Sequence, residues 1–201
     1  LRFLMLALIL FSFPACEDFL NEEPQSFLSS GNFYKNKEQA KVAVNGVYGL
    51  LGHRSRRGLY GRNMFCFPNL VPDLIWSPKG GWSNYDDFTV APDQSLLSQM
   101  WQHTYQAINS ANASIDKIQL LIKNKGENEE LTSMVGELQF IRGLLYFNLV
   151  RMIGSVPVTT EPTTAASKME IPKSSEDEVY AQIISDLKSA AEKLKVTQEE
   201  K

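Results

Sequence analysis

LTSMVGELQFIRGLLYFNLVRMIGSVP, residues 131–157, is the stretch on which the fold turns. Leu131, Met134, Val135, Leu138, Ile141, Leu145, Leu149 and Met152 recur at the spacing that lines one face of an α-helix. Phe140, Leu144 and Phe147 widen that stripe, so the helix is expected to be covered on more than one side. Gly154 follows the last periodic residue and Pro157 comes soon after. A glycine in the left-handed conformation ends a helix, and a proline just beyond prevents its resumption. An extended segment is therefore predicted after the helix.

Working outward, Ser95 precedes a long helical pattern in which Leu97, Trp101, Tyr105, Ile108, Ala111, Ile115, Ile118 and Ile122 lie along one stripe, with Gly126 at its end. A short polar turn, 123–130, joins it to the first helix, predicting an antiparallel helical pair of the tetratricopeptide-like kind. Asn112 falls close to the apolar stripe. An unpartnered amide there would cost about 1–3 kcal/mol, so a bond across to a neighbouring helix or loop is expected. Upstream, Asn36 followed three residues later by Gln39 reads as a capping box, and Ala40, Ala43, Val44, Val47, Tyr48 and Leu51 continue at helical spacing. Downstream, 157–172 is punctuated by prolines and reads as extended. Ser175 and Glu178 then form a second capping box before Val179, Ile183, Leu187, Ala190 and Leu194.

Four of these stretches carry a resemblance. Gly136-Glu137, Phe140-Ile141-Arg142, Tyr146-Phe147-Asn148-Leu149-Val150-Arg151, Gly154 and Val156-Pro157 resemble the signature helix of the SusD/RagB family, surface glycan-binding lipoproteins of Bacteroidetes. Asn32-Phe33-Tyr34 followed by Ala43-Val44-Asn45-Gly46-Val47-Tyr48 resembles the family's opening. Trp101, Tyr105, Ile108 and Ala111-Asn112 resemble its spaced W, Y, I, AN signature, and Glu178-Val179-Tyr180 with Ile183 and Asp186-Leu187-Lys188 resembles a further helix. All four occur in the family's order, which implies an all-α fold of tetratricopeptide-like antiparallel pairs with a long irregular aromatic-rich loop. Full members are considerably longer, so the resemblance also implies that this is an N-terminal part of such a protein, without the C-terminal half.

The start of the chain fits the same reading. Residues 1–13 are almost unbroken apolar residues with one basic residue, Arg2, the h-region of a signal peptide. Phe13-Pro14-Ala15-Cys16 resembles a lipobox, predicting cleavage before Cys16 and lipid anchoring there without a membrane-spanning helix. The expected organisation is a signal peptide at 1–15, a lipidated acidic tether at 16–35 and a SusD-like helical domain at 36–201. Cys66, between Phe65 and Phe67, reads as a small buried hydrophobe.

From His53 to Gln94 the pattern breaks into Gly, Pro, Asn and aromatics, well beyond the roughly 12–15 residues usual for an unstructured loop. A short helix around 63–74 is compatible with the spacing, although Pro68 and Pro72 limit it. Trp76, Trp82 and Tyr85 are the candidates for stacking on the apolar face of a sugar, with Asn84, Asp86 and Arg62 for its hydroxyls. Rings in such a segment also serve to pin a loop to the protein body, and for each ring that reading stands beside the first.

Composition narrows the alternatives. A net charge of -3 and a pI near 5.5, with no basic cluster interleaved with aromatics, argue against a nucleic-acid partner. Only His53 and His103 are present, without metal-site spacing, and no nucleophile elbow or phosphate loop occurs, so no metal, cofactor or catalysis is expected. The resemblance implies a non-enzymatic lipoprotein of the outer membrane. Its partners would be an oligosaccharide and a SusC-like TonB-dependent transporter. The alternative is a helical interaction module that docks the transporter without touching glycan.

Overall fold

A computed structural model describes residues 33–52, 59–64, 83–87, 89–91, 94–163 and 170–194 of the chain. The expected signal peptide, Cys16, tether residues 16–32, Cys66 and residues 65–74 of the possible short helix lie outside them. Among the described residues all regular structure is helical: α1 (Lys37–Leu51), α2 (Ser95–Lys125), α3 (Glu129–Ile153) and α4 (Glu176–Lys193). A short turn, Leu59–Asn63, and a single helical turn, Ser83–Asp86, interrupt the stretch expected to be irregular. The all-α expectation holds.

Local chemistry sets the helix ends. The Asn36 side chain accepts from Gln39 N–H at 2.9 Å, while the Gln39 carbonyl reaches Lys35 N–H at 2.7 Å instead of the N-cap's own amide, so half of the expected box forms in a shifted register. Ser175 and Glu178 form the complete reciprocal box. α2 starts without a side-chain cap on Gln94, and α3 is capped by Asn128, whose carbonyl accepts from Glu130 and Leu131. Gly154 ends α3 with φ 82°, the left-handed region that disfavours a side chain.

α3 is the central element, touching α1, α2 and α4. Leu138, Ile141, Leu145, Tyr146 and Leu149 are covered on it, and Ala107, Ile108, Ala111 and Ile118 of α2 share the same core. Phe140 and Phe147 depart from expectation. They are 44% and 37% exposed, because the neighbours of α3 occupy its other sides. Tyr48 on α1 is likewise 43% exposed instead of covered.

α3 and α4 run antiparallel and close together. Gln139 meets Ser189, Arg142 meets Asp186, and Gly136 lies opposite Lys193. A Cβ on Gly136 would sit 2.9 Å from the Lys193 Cβ, a clash near the backbone, whereas one on Gly143 would make ordinary 3.4 Å contacts with Asp186 and Leu187. The two glycines therefore differ in kind.

Asp186, not the expected Leu187, takes the buried position in the middle of α4, and Leu187 is 38% exposed. The reason is Arg142, inserted between apolar residues of α3. Its Nε donates to Asp186 Oδ2 at 2.8 Å and one terminal nitrogen to Oδ1 at 2.6 Å. Its other terminal nitrogen donates to Asn112 Oδ1 on α2 at 2.7 Å and to the Thr160 carbonyl at 3.3 Å. The paired side chains are 7% and 2% exposed, so an isolated charge there would be expensive.

Two predictions follow from this seam. Gly136→Ala is expected to destabilise the protein by about 1–3 kcal/mol, while Gly143→Ala is neutral or stabilising by up to about 1 kcal/mol through helix propensity. Urea unfolding measures both, and equal losses would contradict the close-approach account. Asp186→Leu, which strands the arginine, is expected to cost about 3–5 kcal/mol, and Arg142→Met combined with Asp186→Leu to recover most of it. If the double variant is no better than the single one in the same assay, the stranded charge is not the cause.

Candidate ligand-binding site

The candidates named from sequence are placed unequally. Trp76 and Trp82 lie outside the described residues, as do the side chains of Arg62 and Asp86. Asn84 is half-buried in the Ser83–Asp86 turn, where its backbone carbonyl accepts from Thr89 N–H at 2.9 Å. Tyr85, expected to stack on a ligand, is only 1% exposed. A ring so covered offers no open face to a sugar, which is the behaviour of a side chain that pins its loop.

A different aromatic surface emerges between α2 and the extended strap that follows α3. The strap, 156–163, has no sheet or helix to satisfy its backbone, and side chains of α2 and α3 do so instead. Tyr105 donates to the Pro157 carbonyl at 2.7 Å, and Asn112 donates to the carbonyls of Thr159 and Glu161 at 3.0 and 3.2 Å. The Tyr146 hydroxyl donates to the Thr159 carbonyl at 2.9 Å and accepts from Thr159 N–H at 2.8 Å. The Asn109 carbonyl accepts from Thr163 N–H at 2.8 Å. Asn112 thus makes the expected bond across the fold, twice over, and Arg142 holds its carbonyl.

Burial pushes the Tyr146 phenol up to about 12, against the lowering effects of the Thr159 backbone and of Arg142. Burial also raises Tyr105. Both hydroxyls carry their protons at neutral pH, as a phenol ordinarily does, and both donate to the strap.

Strap and helix enclose an open cleft of ≈230 Å³ lined by Trp101, Tyr105 and Asn109 from α2 and by Pro157, Thr159, Thr163 and Ile171. The Trp101 and Tyr105 ring centroids are 4.7 Å apart with planes inclined at 45°. Both rings are half-buried, although the sequence places them on the core stripe. The signal that separates them from a core pair is the strap itself, a proline- and threonine-rich segment that covers a helix incompletely. No group of three or more metal-ligating side chains occurs among the described residues, and none of the described helices is long and apolar enough to cross a membrane.

Comparison with known proteins gives the fold a family. A family model described as SusD-like, starch-binding and associating with the outer membrane matches residues 18–201. The chain is 28% identical over 191 residues to SusD-like protein P25 of Formosa agariphila, covering 90% of this chain and 36% of that protein. It therefore spans little more than a third of that curated relative. A crystal structure of a SusD superfamily protein from Bacteroides vulgatus superposes with a TM-score of 0.72 at 24% identity, over 83% of this chain and 36% of that one. A laminarin-binding SusD-like protein superposes with a TM-score of 0.68 at 25% identity, over 80% of this chain and 35% of that one. Matched by the family model along nearly its whole length and sharing the helical fold of these structures, the chain belongs to the SusD-like family.

Proposed function

We propose that this protein is a surface lipoprotein that binds oligosaccharides at the outer membrane and presents them to a TonB-dependent transporter, releasing them unchanged. The observation that carries this reading is the family match over residues 18–201, whose description joins glycan binding to the outer membrane. The structural likeness to a laminarin-binding protein supports a glucan as the first ligand to test. Cys16, after its apolar leader, is assigned as the lipid attachment point, since acyl chains hold a protein on a membrane without a spanning helix. In the loop, Trp76 and Trp82 are assigned to stacking and Asn84, Asp86 and Arg62 to hydroxyl contacts. Tyr85 is assigned to holding the loop in place.

One observation favours a second reading, in which the chain acts by docking a protein partner. Phe140 and Phe147 on α3 and Tyr180, Ile184 and Leu187 on α4 are 37% to 51% exposed, and they flank the seam where Leu187 lies against Gly143. Several large apolar side chains gathered in this way mark a surface that another polypeptide covers. The two readings separate by mutation.

Under the first, Trp76→Ala with Trp82→Ala weakens retention in laminarin- or starch-containing affinity gels by about tenfold or more, as loss of buried aromatic anchors does. Unchanged retention would remove the loop from ligand binding. Under the second, Phe140→Glu with Ile184→Glu abolishes co-purification with the transporter and leaves gel retention intact. Cys16→Ser is expected to move the protein from the membrane to the soluble fraction, and persistence in the membrane would refute the anchor.

A further inference from the structure

We propose that the cleft between α2 and the strap is a saccharide subsite in its own right, made by residues other than those of the aromatic loop and suited to one neutral pyranose ring. This rests on the reading that the protein binds oligosaccharides, and adds where a ring sits and which sugars are accepted.

The first argument is the combination of surfaces. Trp101 and Tyr105 give the cleft two ring surfaces set at 45°, and a pyranose needs an apolar surface for its C–H face. At ≈230 Å³ the cleft lies below the roughly 300 Å³ at which pockets for drug-sized ligands begin, so it suits a single ring of a longer chain.

The second is the state of the polar groups. The Tyr105 hydroxyl is already bonded to Pro157, and the Asn109 carbonyl to Thr163 N–H. What remains is the Asn109 NH2, the Trp101 indole N–H and the Thr163 hydroxyl, which meet no acceptor among the described residues. Thr159 Oγ1 donates to the Glu161 carbonyl at 3.0 Å and keeps its acceptor capacity. Donors and acceptors beside a ring surface are the complement of a sugar's hydroxyls.

The third argument concerns charge. None of the described residues that line the cleft is a Lys, Arg, Asp or Glu. Against these described residues a uronate or sulfated sugar would lose hydration without gaining a cation, whereas a neutral hexose exchanges water for the amide and hydroxyl groups. Finally, the walls are fixed in advance. The strap is tied to α2 and α3 through Tyr105, Asn109, Asn112, Arg142 and Tyr146, so little ordering entropy is lost when a ligand enters.

The test is calorimetric titration of the intact protein with laminari-oligosaccharides, and with oligogalacturonate as the charged comparison. Trp101→Phe with Thr163→Val keeps a ring and the backbone N–H, and equal melting temperatures would establish that the fold survives. This variant is expected to bind laminari-oligosaccharides about tenfold more weakly, the loss that follows from a truncated anchor and a missing hydroxyl partner. The same decrease is expected when the substitutions are added to Trp76→Ala and Trp82→Ala, and oligogalacturonate is expected to bind the unaltered protein at least about tenfold more weakly than the neutral chain. Unchanged affinity in a folded Trp101→Phe, Thr163→Val protein overturns the subsite while leaving glycan binding in place. Equal affinity for the uronate overturns the neutral selectivity. Absence of binding by the unaltered protein to either sugar defeats the oligosaccharide reading and the subsite with it.

Discussion

A buried arginine has to find acceptors for its N–H groups, and in this protein that requirement draws four segments together. Arg142 holds Asp186 of α4 through two short bonds, Asn112 of α2 through a third, and the strap through the Thr160 carbonyl. Apolar contact between helices tolerates sliding and small rotations, whereas a two-pronged guanidinium–carboxylate pair tolerates little of either. The net contribution of such a pair to stability is modest, because both charges are desolvated. Its consequence here is geometric: it sets the register between α3 and α4 and fixes the carbonyl of Asn112, leaving the amide's donors for the strap.

That division of labour explains how an irregular segment acquires a defined shape. The strap is satisfied bond by bond from tyrosines and asparagines on two helices, with the tyrosine hydroxyls donating to its carbonyls. An aromatic cleft then forms where the strap fails to cover Trp101 and Tyr105 completely. A loop tied to a rigid scaffold has a defined shape, and the helical pair serves as that scaffold.

Much of this was legible in the residues alone. The α3 stripe, its glycine stop at Gly154, the box at Ser175 and the need for Asn112 to find a partner all followed from period and local chemistry. So did the family resemblance, since its motifs record the same constraints. The charged pair was missed, although its signals were present: Arg142 interrupts apolar residues of α3, and Asp186 stands three residues after Ile183 and four before Ala190 on the apolar face of α4. Two opposite charges, each on a buried stripe, call for one another. Tyr85 carried both readings in the sequence, because a ring that pins a loop and a ring that greets a ligand have the same sequence context.

The sequence by itself determined which segments are helical, where each ends and which face of each is apolar, because these depend on neighbours within a turn or two of the chain. Only the tertiary structure decided what covers each face: that Asp186 instead of Leu187 is buried, that Phe140 and Phe147 are left open, and that Trp101 and Tyr105 border a cleft. Those outcomes depend on contacts such as that between Arg142 and Asp186, 44 residues apart. Helical periodicity specifies a direction around an axis, and only the packed fold specifies which element arrives from that direction.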